Sequence, residues 1–232
     1  MIQETTGQQE QRQPPRFYGV DTYWDRLGRF SFRYASTWAR FDIEGKDGVM
    51  FVPDTNDPQT HLSGWVEDVT HHVVAEDLEV LREGIEEGLA QLPDCQVEER
   101  QDDVINNMVR FVRIFTFRDA ENVRKRKAYI LYADNWLITL LFQGASPEEY
   151  DYWLAMMNYS FATMKLPDEL MFLTDPELVR WDPQENRYIL KEEEKQKRDA
   201  EASAAAKAAR KQQHSVKQSR APQGRKRSQK QP

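Results

Sequence analysis

Three stretches decide the fold: MVRFVRIFTF (Met108–Phe117), RKRKAYILY (Arg124–Tyr132) and WLITLLF (Trp136–Phe142). Strand residues point alternately to two faces. The first stretch therefore puts Val109, Phe111, Arg113, Phe115 and Phe117 on one side and Met108, Arg110, Val112, Ile114 and Thr116 on the other. Apolar residues on both sides mark a strand covered on both faces, inside a sheet. In the second, Ala128, Ile130 and Tyr132 oppose Tyr129 and Leu131. The connections are short. Ala120-Glu121-Asn122 reads as a turn, and Asp134-Asn135 as a tight hairpin turn in which Asn accepts left-handed dihedrals.

Working outward, Phe30, Phe32 and Tyr34 alternate in a half-buried strand, Trp38–Ile43 reads as a short one, and Gly48–Val52 is closed by Pro53-Asp54. After a polar loop, Leu62–Val74 reads as a longer strand. Leu78, Leu81, Ile85, Leu89 and Leu92 recur every three or four residues, the spacing of one helical face, with Asp77 as the expected N-cap and Pro93 as the stop. Ser146-Pro147-Glu148-Glu149 starts a second helix, with Ser146 capping, Pro147 at the first helical position and Glu149 completing a capping box. Its expected buried stripe is Tyr150, Trp153, Leu154, Met157 and Phe161. The fold class that follows is α+β, an antiparallel sheet flanked by helices.

The segments Gly28-Arg-Phe-Ser-Phe-Arg-Tyr-Ala-Ser-Thr-Trp38, Leu78–Leu92, Tyr129–Phe142 and Asn158-Tyr-Ser-Phe161 follow one another in an order that resembles the PsbP-like domain. That α/β/α sandwich is shared with the Ran-binding import factor of the Mog type. The resemblance spans residues 16–166, with Ala35 where the family usually carries Pro. It implies a non-enzymatic binding module with no catalytic motif to carry over.

Charge divides the chain. Residues 191–232 hold 13 basic against 5 acidic side chains, and the remainder 19 against 34, so a +8 tail follows a −15 body. The expected organisation is a disordered arm over 1–15, the α/β domain over 16–166, an aromatic extension over 167–190, and a basic tail over 191–232 that passes from helix to disorder. The stretch 191–213 is rich in helix formers without an apolar stripe, and 214–232 is too polar to repay its ordering entropy. No run of 18 apolar residues exists for a membrane span. Met1–Pro15 lacks the apolar region of a secretory signal, so a cytoplasmic location is expected. The single Cys95 forbids an intramolecular disulfide.

No nucleophile elbow, phosphate loop or dinucleotide fingerprint occurs. His61, His71 and His72 lack a metal-ligand spacing, and on a strand His71 and His72 face opposite ways. Asp102-Asp103 and Glu98-Glu99 read as solvated loop or strand-edge charges. Arg124, Lys125, Arg126 and Lys127 read first as an edge strand guarded by charge, with an anion-contact patch as the functional reading. Arg225, Lys226 and Arg227 join them as anion contacts, since nine cations and no carboxylate follow Ser203. Phe172, Trp181 and Tyr188 are the expected protein contacts.

The function expected from the sequence is a non-enzymatic protein-interaction module without cofactor or metal. An unidentified protein is its partner, and the tail offers contact to nucleic acid or another polyanion. The rival expectation is an apolar small-molecule domain, its pocket between sheet and helix lined by Trp65, Phe115 and Trp153.

Overall fold

The computed structural model describes residues 12–182, 184–185 and 187–219. The chain divides into two compact units, at Pro176 and Glu177. The first begins with a hairpin of β1 (Val20–Trp24) and β2 (Ser31–Ala35), followed by β3 (Ala39–Asp42), β4 (Asp47–Val52) and β5 (His61–Asp68). Helix α1 (Leu78–Ala90) precedes the strands β6 (Gln96–Ile105), β7 (Met108–Asp119), β8 (Asn122–Ala133) and β9 (Trp136–Gly144). Helices α2 (Pro147–Ala162) and α3 (Asp168–Leu173) complete it. The main sheet is antiparallel throughout, in the order β3-β4-β5-β9-β8-β7-β6.

The two sheet faces carry separate cores. On one, Val49, Phe51, Leu62, Val66, Ile138, Leu140 and Phe142 pack against Tyr23, Phe30 and Phe32 of the hairpin and against Tyr150, Met156 and Met157 of α2. On the other, Phe115 and Phe117 meet Leu89, while Phe111 and Val109 lie with Leu78, Leu81 and Val73. The layering is therefore helix and hairpin, sheet, helix, the α+β sandwich expected from the sequence.

Both long helices of the first unit form where the periodicity placed them. Ser146 Oγ accepts the Glu149 N–H at 3.3 Å, while the Glu149 carboxylate pairs with Arg12 rather than closing a capping box. Asp77 does not cap α1: its carboxylate accepts the Val74 N–H at 3.0 Å and closes a 3-10 turn over Ala75–Asp77. The hairpin turn before β9 places Asp134 at φ 57°, so Asp rather than Asn supplies the left-handed residue. β5 stops at Asp68 instead of running to Val74. The chain turns at Thr70, and Val69 and Val73 donate to the carbonyls of Asn135 and Asp134. Gly144 ends β9 where α2 presses on it; a Cβ there would sit 2.5 Å from the Tyr150 backbone nitrogen.

One correction concerns the strands. β8, which carries Arg124–Lys127, is interior, between β9 and β7, so the edge-strand reading fails. The charged edge is β6, whose Glu98, Glu99 and Arg100 keep an exposed rim polar. Arg12 and Gln13 lie against α2, and the tail begins with helix α4 (Lys191–Ser219).

The segment 167–190 is split. Leu170 is buried in the first unit's core, whereas β10 (Val179–Asp182) and β11 (Arg187–Leu190) form a hairpin in the second unit. There Trp181 and Tyr188 pack edge to face at 5.2 Å, Lys191 N–H donates to the Leu178 carbonyl, and Arg180 pairs with Glu194 of α4.

Two ion clusters tie covering layers to the sheet. Arg29 grips Asp25 through Nε and Nη2, at 2.7 and 2.9 Å, reaches Asp47 on β4, and stacks on Trp136. Arg113 is buried beneath α1 and bonds Glu86 and Asp102 at 2.8 and 2.5 Å. Burial pushes the Asp25 and Asp102 carboxyls up, but hydrogen bonds from Arg29, and from Arg113 and Arg82, outweigh it and hold both below the usual range. Their ionised forms are favoured by folding. Their contribution is therefore complete above the unfolded carboxylate pKa of about 4 and is lost as pH falls through the lower folded values. Urea unfolding across pH is expected to show an acid-side fall that Asp102→Asn flattens; an unchanged acid slope in that variant contradicts the assignment.

Candidate protein-interaction surface

The four cations of β8 alternate across the sheet instead of forming one patch. Arg124 and Arg126 lie on the α1 side. Arg124 donates to the Ala145 carbonyl at 2.7 Å and pairs with Asp119 at 3.3 Å; Arg126 donates to Gln143 Oε1 at 2.7 Å and lies over the Phe117 ring. Lys125 and Lys127 lie on the α2 side. Lys125 pairs with Glu98 at 2.9 Å, and Lys127 donates to Asn158 Oδ1 at 2.9 Å over the Phe161 ring. Each sits among partners that the fold already supplies. Arg225, Lys226 and Arg227 lie outside the described residues.

Lys125 and Lys127 line a cleft of about 430 Å³ between the sheet and α2, with Glu98, Glu99, Tyr150 and Asp151. Three carboxylates oppose two ammonium groups, so the cleft does not attract anions on balance. Burial lowers the Lys127 ammonium pKa. Burial, with Asp151, Glu98 and Glu99, raises the Tyr150 phenol, whose hydroxyl finds no hydrogen-bond partner among the described residues.

The apolar pocket expected between sheet and helix does not assemble. Phe115 is packed beneath α1 with Leu89 and Ala128. Trp153 sits on α2, on the other face, and the Trp65 indole donates to Glu67 under Lys46. The three rings share no cavity, because the sheet lies between Phe115 and Trp153.

Other candidate groups have structural explanations. His72 binds Asp134, and burial is the main cause lowering His61. Burial raises the Cys95 thiol, the direction that favours an inert thiol. Among the described residues no group of three potential ligands converges as a metal site. Nor is any helix there long and apolar enough to cross a membrane.

The strongest surface feature was not anticipated. Tyr18, Val20, Trp24 and Leu27 are all exposed along the first hairpin; Trp24 is 68% and Leu27 67% accessible. Tyr23 points inward to Phe30, Phe32 and Phe51, so alternation turns Trp24 outward. Arg29, held by Asp25 and Asp47, fixes the hairpin to β4 from beneath. Trp24 also borders a niche of about 190 Å³ with Phe30, Lys165, Leu166 and Pro167. β1 pairs only with β2 in its two-stranded sheet, leaving its outer edge open among the described residues. Val20-Asp-Thr-Tyr-Trp24 carries no clean alternation, and only Tyr23 of the strand is buried. Of the expected contacts, Phe172 is exposed in the first unit, whereas Trp181 and Tyr188 are half-buried against one another in the second.

No family model matches the chain, and no curated protein does. Solved structures match with low identity. Cyanobacterial PsbP (CyanoP) from Synechocystis sp. PCC 6803 is 14% identical, over 64% of this chain and 92% of its own, at a TM-score of 0.47. LpqN of Mycobacterium tuberculosis, involved in cell envelope biogenesis, is 10% identical over 64% and 92%, at 0.45. The Saccharomyces cerevisiae Ran-binding protein Mog1p is 7% identical over 66% and 98%, at 0.41. The PsbP and Mog types named by the sequence resemblance thus recur among the structures to which this chain is similar.

Proposed function

We propose that this chain is a non-enzymatic, cytoplasmic protein-interaction module that docks its partner on the β1–β2 hairpin. The observation that carries this reading is the exposed row of Tyr18, Val20, Trp24 and Leu27 on a hairpin anchored by the buried Asp25–Arg29 pair. Large apolar side chains grouped at a surface, rather than scattered singly, mark contact sites, and Trp and Tyr are the residue types that dominate binding energy at protein interfaces. The rigid base matters equally, because a preorganised surface loses less freedom on binding. The displaced carboxylates Asp25, Glu67 and Asp102 each have a structural cation, Arg29, Lys46 and Arg113, which favours scaffold over catalysis.

The basic tail supports a second, additive contact. Its nine cations from Ser203 onward stand without a carboxylate, the composition that binds polyanions through counterion release.

Site-specific photo-crosslinking in cells tests the first contact. A photoreactive residue at position 24 or 27 is expected to give a discrete protein adduct that a probe at Glu87, exposed on α1, does not; equal yields at all three positions reject the hairpin as the docking surface. For the tail, retention of the full chain on single-stranded nucleic acid is expected to fall steeply between 50 and 200 mM salt, as on the order of several phosphate contacts requires. Replacing Arg225, Lys226 and Arg227 with Gln is expected to flatten that dependence, and salt-independent retention rejects the polyanion contact.

A further inference from the structure

The segment entering the first hairpin crosses α2 as a strap. The Arg12 guanidinium lies 3.8 Å over the Tyr152 ring and pairs with Glu149 at 2.5 Å. The Tyr152 hydroxyl donates to the Gln13 carbonyl at 2.8 Å, and Phe17 meets Tyr159 edge to face at 5.0 Å. Between these two anchors runs Pro14-Pro15, a pair that favours the extended polyproline II conformation.

The groove beneath is aromatic. Tyr152 packs edge to face on Trp153 at 5.1 Å, and Trp153 on Trp38 at 6.5 Å. Grooves lined by such rings bind proline-containing segments, because a prestiffened peptide loses little entropy and proline packs flat against aromatic faces. Charge agrees at one position, where Arg12 of the strap meets Glu149 in the first turn of α2. The fit is incomplete, since a cleft of about 310 Å³ remains between the strap and Trp38, Pro53, Trp153 and Met156.

We propose that this aromatic groove on α2 is a binding site for an extended, proline-containing, arginine-bearing segment of a partner protein, and that residues 12–17 are its built-in competitor. The proposal rests on the interaction-module reading and adds the chemistry of the partner. The strap uses one ion pair, one stacked guanidinium and one carbonyl hydrogen bond, all of which a partner peptide reproduces. A ligand that also fills the remaining cleft displaces it. Because the strap is tethered, it competes at an effective concentration on the order of millimolar, so the groove discriminates against weak ligands.

The test uses the full chain and a synthetic peptide of residues 9–18, QEQRQPPRFY. Arg12→Glu in the protein places a carboxylate against Glu149 and loosens the strap without shortening the chain. Titration followed by tryptophan fluorescence is expected to show the peptide binding at least tenfold more tightly to Arg12→Glu than to the unaltered chain. Adding Tyr152→Ala to that variant is expected to abolish the gain, while near-ultraviolet circular dichroism checks that the fold is kept. Pro14→Ala and Pro15→Ala in the peptide are expected to weaken binding at least fivefold. Equal binding to both proteins, no binding to either, or indifference to Tyr152 overturns the proposal. A concentration-dependent dimer of the unaltered chain that is lost in Arg12→Glu also overturns it, in favour of strap exchange between copies. Crosslinks from position 24 are read independently, so failure of the groove leaves the hairpin result standing, and the reverse holds.

Discussion

The structure depends on one buried cation. Arg113 occupies a core position on β7, between Phe111 and Phe115 in the row of side chains under α1, with a side chain only 1% exposed. Its Nε bonds Glu86 of α1, and its Nη1 bonds Asp102 of β6 and the carbonyls of Gln101 and Val112. Nη2 is buried without a hydrogen-bond partner among the described residues. The guanidinium lies beside two apolar clusters below α1, one around Phe115 and Leu89, the other around Phe111 and Val73, which Ile85 and Ile130 join. A ridge of apolar residues alone would tolerate sliding of a helix along the sheet. A charge that must meet two particular carboxylates allows one register, which is how buried ionic groups can exchange stability for specificity.

Closing that face has a functional consequence. α1 covers β6–β8, α2 and the β1–β2 hairpin cover the opposite face, and Phe115 and Phe142 fill the core beneath each. The proposed partner contacts lie on the outside of the sandwich. The side chains best suited to them lie in the covering layer: Trp24 and Leu27, exposed on the hairpin, and Tyr152 and Trp153, half-buried on α2. Both places are braced from below, by Asp25–Arg29–Asp47 and by Tyr150 stacked on Phe142. The scaffold and the proposed contact surface thus use the same elements, with inward residues holding the shape and outward ones left to the proposed partner.

Elements with a strong apolar period were legible in the sequence: the three long strands, both long helices, and the layer order they imply. β6 was not, because an edge strand exposed to water keeps few apolar residues, and Gln96–Asp103 resembles a loop in composition. Four successive cations on β8 suggested an edge for the converse reason. Long Arg and Lys side chains in an interior strand reach carbonyls and carboxylates at the sheet's ends, as Arg124 does with Ala145, and this reach is invisible in spacing. The contact surface was the least legible part. Tyr23 and Trp24 are equally apolar in the sequence, and only the pairing of β1 with β2 decides that one is buried and the other exposed. The strap was hidden likewise, since a polar, proline-bearing arm shows its docking only once Tyr152 and Glu149 are placed beside it.

The most direct measurement is the equilibrium stability of Arg113→Met beside the triple variant Arg113→Met/Glu86→Gln/Asp102→Asn. If the guanidinium locks α1 in register, the single substitution leaves two carboxylates facing an apolar side chain and costs about 3 kcal/mol. The triple variant, which removes the stranded charges, recovers at least half of that loss. A single substitution that leaves stability unchanged, or a triple variant less stable than the single one, contradicts the account.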